Sequence, residues 1–257
     1  MEINLRTISF KSPSDHMFTI REQNGEDEDI LSNPRDSKDL TNLTKFIAAI
    51  VVKTDFTNNG KLTVDDALNL PLLDRYCILL ESRRFSLGDT LDITYNWLSE
   101  NGKSTQVDYE ELISNYLFDY GTVPTEEEME AKPFACPFYP SPDKLKERVV
   151  VLASGKVVAY DCMTGEGERY LLNLPEEKRT RNSELLARNL KLEVNGKFEK
   201  VQNFSNFSVR DMAEIRKEIA TMDPLFQGLT KLDNPETGET IMFPIMASQS
   251  FFYLTEA

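Results

Sequence analysis

Residues 55–66 read Asp-Phe-Thr-Asn-Asn-Gly-Lys-Leu-Thr-Val-Asp-Asp, and their oxygen-bearing side chains fall at the spacing of a 12-residue calcium loop. Asp55 stands at the first position, Thr57 at the third, Asn59 at the fifth, Gly60 at the sixth and Asp66 at the twelfth. Two positions depart from that pattern. Thr57 brings no charge, and Asp66 is shorter than the bidentate glutamate that normally closes such a loop. The same residues also make an Asn-Gly turn ahead of a capped helix, which is the simpler reading. No metal site is therefore expected; the alternative function is a calcium-responsive binding module, with Asp55, Thr57, Asn59 and Asp66 as the set that would hold the ion.

Little else has the composition of a reaction centre. His16 is the sole imidazole, and no serine sits in a Gly-x-Ser-x-Gly context. Cys77 falls on an apolar helical stripe, where a thiol reads as a small core residue. The acids at 26–29 and 126–128 are clustered in polar turns, and such groups are normally just solvated. Gly155, Gly165 and Gly167 are not followed by the Gly-Lys-Ser/Thr of a phosphate loop. Zinc needs clustered thiols or imidazoles, and these are scattered. Neither catalysis nor a cofactor is expected; a hydrolase working through Glu126 and Glu128 is the enzymatic alternative.

Composition narrows the partners. The chain has 257 residues with 29 basic and 43 acidic side chains, a formal charge of −14. A field of that sign repels phosphate backbones and anionic lipid, so no nucleic-acid partner is expected; solubility is the simpler reading of the acidity and a basic protein partner the sharper one. The longest apolar run, residues 46–52, is too short to span a bilayer. The first twelve residues lack the apolar centre of a signal peptide. Three cysteines (77, 136 and 162) make an odd count that argues against a disulfide framework. A reducing, cytosolic setting is the expectation.

The elements that position these residues are legible in outline. Thr63 and Asp66 have capping-box spacing, and Pro71 suits a first helical turn. Leu72, Leu73, Tyr76, Cys77, Leu79 and Leu80 then supply one apolar helix face. Gly88 stops that helix, and residues 92–97 alternate like a half-buried strand leading to an Asn101-Gly102 turn. The pattern recurs. Residues 17–31 and 156–172 each read as a strand, a glycine turn and an acidic helix entry. Helices follow at 39–52 and 183–192, then a second capping box at Ser208 and Asp211, and a hairpin formed by 229–232 and 240–245. The expected class is α+β, with two duplicated halves of strand, helix, helix and β-hairpin at 1–120 and 149–257. Between them residues 121–148 hold five of the chain's 12 prolines and form a crossover. Phe134, Phe138 and Tyr139 are too apolar for a free linker, so the crossover is expected to pack against a domain.

With these residues laid out, the chain resembles the T4-type baseplate hub assembly protein family of contractile-tailed phages. The resemblance runs over most of the chain. It rests on Ile20 to Leu31, on Leu70-Pro-Leu-Leu-Asp-Arg75 and on Arg83-Arg-Phe-Ser-Leu-Gly-Asp89. Weaker echoes lie at 164–168, 208–211 and Phe251-Phe252-Tyr253. The Cys-Pro-x-Cys pairs that many members carry in both hairpins are absent at 94–103 and 230–239, so no zinc site is carried over. The resemblance implies a hub-building role exercised through contacts with other tail-hub proteins. Its setting would be the host cytoplasm during assembly, or the baseplate of the particle. Phe251, Phe252, Tyr253 and Trp97 are the expected partner contacts, since aromatics concentrate at interfaces. For the three terminal aromatics, docking on the chain's own core is an equal reading.

Overall fold

The computed structural model describes residues 5–98, 102–140 and 148–253. The first part runs β1 (Thr7–Lys11), β2 (Met17–Arg21), α1 (Gly25–Leu31), α2 (Thr41–Ile50), β3 (Val51–Thr54), α3 (Val64–Asn69) and α4 (Leu72–Leu87). A hairpin of β4 (Thr90–Leu98) and β5 (Ser104–Leu112) closes it. The crossover contributes α5 (Glu126–Ala131). Then follow β6 (Arg148–Val151), β7 (Val157–Tyr160), α6 (Gly165–Asn173), α7 (Ser183–Ala187), β8 (Lys191–Val194), β9 (Lys197–Lys200) and α8 (Val209–Met222). The last hairpin pairs β10 (Leu229–Asp233) with β11 (Thr240–Pro244). The class is α+β, with every sheet antiparallel.

Local chemistry sets the boundaries. Capping boxes start α1 (Asn24 with Asp27), α3 (Thr63 with Asp66), α5 (Thr125 with Glu128) and α8 (Ser208 with Asp211). Pro71 divides the stretch after Thr63 into two helices, because a proline biases the residue before it to extended backbone. Leu70 accordingly has φ −58 and ψ 143. Helix α2 gives way at once to β3, whose β-branched Val51, Val52 and Thr54 suit a strand better than the helix end expected there. In the second half Asn195 and Gly196 both adopt positive φ (53° and 75°), the type I′ signature that turns β8 into β9. Each half therefore opens on a hairpin rather than a single strand. A third strand returns antiparallel to that hairpin's second strand, in the orders β1-β2-β3 and β6-β7-β8-β9.

Two apolar cores result. The second lies between the four-stranded sheet and α8, with Val158, Tyr160, Leu185, Leu190, Met212 and Ile215. The first surrounds α4 and also recruits Leu232, Ile245 and Phe251 from the end of the chain. Segment 149–257 is thus shared between both cores. The two terminal hairpins lie against each other: Tyr95 meets Phe243 at 6.1 Å between ring centroids, and Tyr109 Oη donates to Asp233 O at 2.8 Å. The crossover is docked. Cys136 N donates to Tyr116 O (2.9 Å), Tyr139 N to Pro13 O (3.2 Å), and the Tyr139 ring is buried.

Candidate functional site

The residues of the calcium-loop pattern are engaged with neighbouring protein groups. Asp55 Oδ1 accepts from Met17 N at 3.0 Å and lies 3.0 Å from His16 Nδ1. Thr57 Oγ1 donates to Lys61 O (2.7 Å), while Asn59 Oδ1 accepts from Lys61 N (3.0 Å). Asp66 Oδ2 accepts from both Thr63 N (3.0 Å) and Thr63 Oγ1 (2.6 Å), which holds its carboxyl below the usual range. Asp55 is therefore turned to the β1–β2 turn and Asp66 to the cap of α3. Among the described residues no group of three or more His, Cys, Asp or Glu is placed to hold a metal ion.

The aromatic residues expected at an interface are mostly turned inward. Phe251 is fully buried, and Trp97 is 4% exposed, with its Nε1–H donated to Tyr109 Oη at 2.7 Å. Both use their apolar surface inside the chain and offer none to a partner in this conformation. Phe252 and Tyr253 are half-buried, Phe252 edge-on to Phe46 with 6.5 Å between centroids. The tail docks as a 3-10 turn, Gln249–Phe251, which Ser250 Oγ ties to Asp92 O. Glu128 is the capping partner of Thr125, and Glu126 lies beside it in the first turn of α5.

Buried charge gathers on α4 and at the seam between the halves. Asp74 receives Ser14 N (3.0 Å) and the Ser14 hydroxyl, and burial pushes its carboxyl up to about 6. Arg75 donates to Ala67 O (2.7 Å) and Thr44 Oγ1 (3.0 Å), with burial lowering its pKa. The start of α6 lies on that guanidinium. Gly165 is glycine for that reason, since a Cβ there would sit 2.7 Å from Arg75 Cζ. Leu72 N donates to Met163 O (2.8 Å), Gly165 N to Leu70 O (3.3 Å), and Pro71 bridges Thr164. Two helix starts from distant parts of the chain are locked together.

That lock opens a cleft. Its apolar compartment, about 260 Å³, is walled by Leu72 and Tyr76 of α4, Met163, Leu171 of α6, Leu225 and Phe226. Gly228, at φ +53°, lets the Phe226 ring fold back over it; a Cβ there would meet Phe226 Cε1 at 2.6 Å. Phe226 then reaches Tyr76, 5.1 Å between centroids. Glu168 enters this compartment and accepts the Tyr76 hydroxyl at 2.9 Å. Burial raises its pKa, opposed by the Tyr76 bond and by Arg75. A charged compartment of about 360 Å³ adjoins, sharing Glu184 and Leu225 and adding Arg216, Ile219, Asp223 and Gln227. Behind it the fully buried Arg188 is paired with Asp223 and, at 3.0 Å, with Glu184. Asp223 also accepts Met163 N at 2.7 Å, joining α8 to the α6 start.

No family model, curated protein or solved structure matches this chain. Among the described residues no helix is long and apolar enough to cross a membrane.

A larger groove, about 510 Å³, lies on the Gly167–Tyr170 face of α6, with Cys162 nearly buried at its edge. There burial lifts the thiol to about 11, and Asn189 Nδ2 is donated to Asp161 at 3.1 Å. The sequence reading did not select Tyr76, Glu168, Glu184 or Arg216. Glu168 reads as part of an acidic helix entry and Tyr76 as core, and no local pattern links residues 92 positions apart.

Proposed function

We propose that this chain is an assembly protein of a contractile-tail baseplate hub, acting by protein–protein contact in the host cytoplasm. The observation that carries the contact reading is the two-compartment cleft built jointly by α4, α6, α7 and α8, an amphipathic recess open to solvent on a chain of charge −14. Recessed apolar walls flanked by polar groups suit recognition of another chain. The ordered signatures at 20–31, 70–75 and 83–89 direct the reading to the hub. The recurrence of hairpin, two helices, returning strand, helix and hairpin supports the accompanying reading of a duplicated unit. A reacting group must meet its substrate, and Asp74, whose acidity is strongly altered, is sealed among Ser14, Cys77, Cys136 and Tyr139. That favours contact over catalysis.

Quantitative mass spectrometry of purified phage particles, beside lysates stalled before tail completion, tests the proposal. Peptides at a fixed ratio to hub subunits in the particle are expected of a structural component. Peptides confined to stalled intermediates are expected of a chaperone that leaves. Absence from both overturns the hub reading.

A further inference from the structure

Glu168 differs from the other acids of the seam in what answers its charge. Asp223 and Glu184 face Arg188, whereas among the described residues no lysine or arginine is paired with Glu168. Among the described residues its hydrogen-bond donor is the Tyr76 hydroxyl, and the nearby Arg75, whose charge also favours the carboxylate, spends hydrogen bonds on Ala67 O and Thr44 Oγ1. Arg216, in the adjoining compartment, donates to Asn182. Around Glu168 the walls are mostly aliphatic and aromatic, Leu72, Met163, Leu171, Leu225 and Phe226, and the other acid among them, Glu184, is the ion partner of Arg188. Leu225 stands 49% exposed at the mouth, an apolar lip that the fold leaves uncovered.

A half-buried carboxylate whose nearby cation spends its hydrogen bonds elsewhere gains more from an incoming cation than an exposed one, because the surrounding dielectric is lower. The matching ligand has a long aliphatic stem to lie along the apolar walls and a cationic head to reach the carboxylate. Lysine and arginine side chains have this shape. From this we infer that the cleft binds a basic side chain carried on an apolar segment of a protein partner, with Glu168 as the anchor. The inference rests on the protein-contact reading and specifies the chemistry of the partner. The overall charge of −14 acts in the same direction, drawing a basic partner toward the chain.

The test is an NMR titration of the full chain with the amidated peptide acetyl-Leu-Lys-Leu, in the millimolar range where so small a ligand binds. Saturable shifts at Leu171, Leu225 and Phe226 are expected. Glu168→Gln keeps an acceptor for Tyr76 and is expected to weaken binding about tenfold, a change of about 1.4 kcal/mol. Glu166→Gln removes an exposed charge paired with Arg169 on the same helix and is expected to leave binding unchanged. Binding should also weaken as pH falls and Glu168 takes up a proton. Equal affinity for a peptide with norleucine in place of lysine, or no localised shift, overturns the inference. Peptide binding by a chain that is absent from particles and intermediates would retain the cleft and reject the hub.

Discussion

Helices α4 and α8 each lead toward a hairpin, α4 to β4–β5 and α8 to β10–β11, yet their surroundings differ. Helix α8 buries one stripe, Asp211, Met212, Ile215 and Ile219, against its sheet. Helix α4 is enclosed on nearly every side, so Asp74, Arg75, Glu81 and Arg83 are buried along with its leucines. The two regions meet the cost of buried charge differently. Around α4 the partners are mostly neutral: Ser14 for Asp74, Ala67 O and Thr44 for Arg75, and Gly88 O and Thr90 O for Arg83. In the second region Arg188 and Asp211 have ions as partners. Arg188 faces Asp223, and Lys156 holds the Asp211 carboxyl well below the usual range. A helix in the middle of a core needs local hydrogen-bond partners for most of its charges, neutral acceptors for Arg75 and Arg83 and a neutral donor for Asp74. A helix covering one face can leave most of its charges in water.

Breaking the ion pair tests this contrast most severely. Asp223→Ala leaves Arg188 fully buried, with only the partly exposed Glu184 beside it. The expected cost is about 3–5 kcal/mol in urea unfolding. A loss below about 1 kcal/mol would mean that the second region tolerates an unpaired charge and that the contrast is mistaken.

The neutral strategy around α4 predicts a pH signature. The Asp74 carboxyl rises from 3.8 to about 6 on folding, so the folded chain binds the proton more tightly than the unfolded chain. Its contribution is favourable in acid and is lost as pH climbs through about 4 to 6. The loss amounts to about 3 kcal/mol at 1.36 kcal/mol per pKa unit. Asp74→Asn removes that titration. Wild-type stability relative to the Asn variant should therefore be about 2 kcal/mol greater at pH 4 than at pH 7, and parallel stability curves would refute the assignment.

The smallest effect compares two of the capping boxes, those of α3 and α8. Thr63→Ala and Ser208→Ala are each expected to cost about 1 kcal/mol in thermal or urea unfolding. The Thr63→Ala cost should be the same in chelator and in millimolar calcium, because Asp66 serves the cap. A calcium-dependent change in that cost would reveal that Asp66 has a second partner in the loop.

Much of the local structure could be read from short spacings. The capping boxes at Thr63 and Ser208 and the stop at Gly88 depend on residues a few positions apart and stand as read, while the docking of the crossover follows from its apolar Phe134, Phe138 and Tyr139. The ends of α2 and α7 were read too long. Helix and strand both accept a brief apolar run, and the pairing of β3 with β2 and of β8 with β7 settles the choice. The Asn195-Gly196 turn is itself a local signal, an Asn-Gly pair with positive φ at both residues.

The amino-acid order by itself determined where helices begin, where turns fall and that the surface is acidic, because capping, φ preference and charge act within a few residues. Only the tertiary structure decided that α4 is enclosed, that the hairpins of the two halves face each other, and that Tyr76 and Glu168 share a cleft. Those outcomes depend on which apolar faces cover one another. Hydrophobic burial is non-directional, so short-range patterns show that a face must be covered without specifying what covers it.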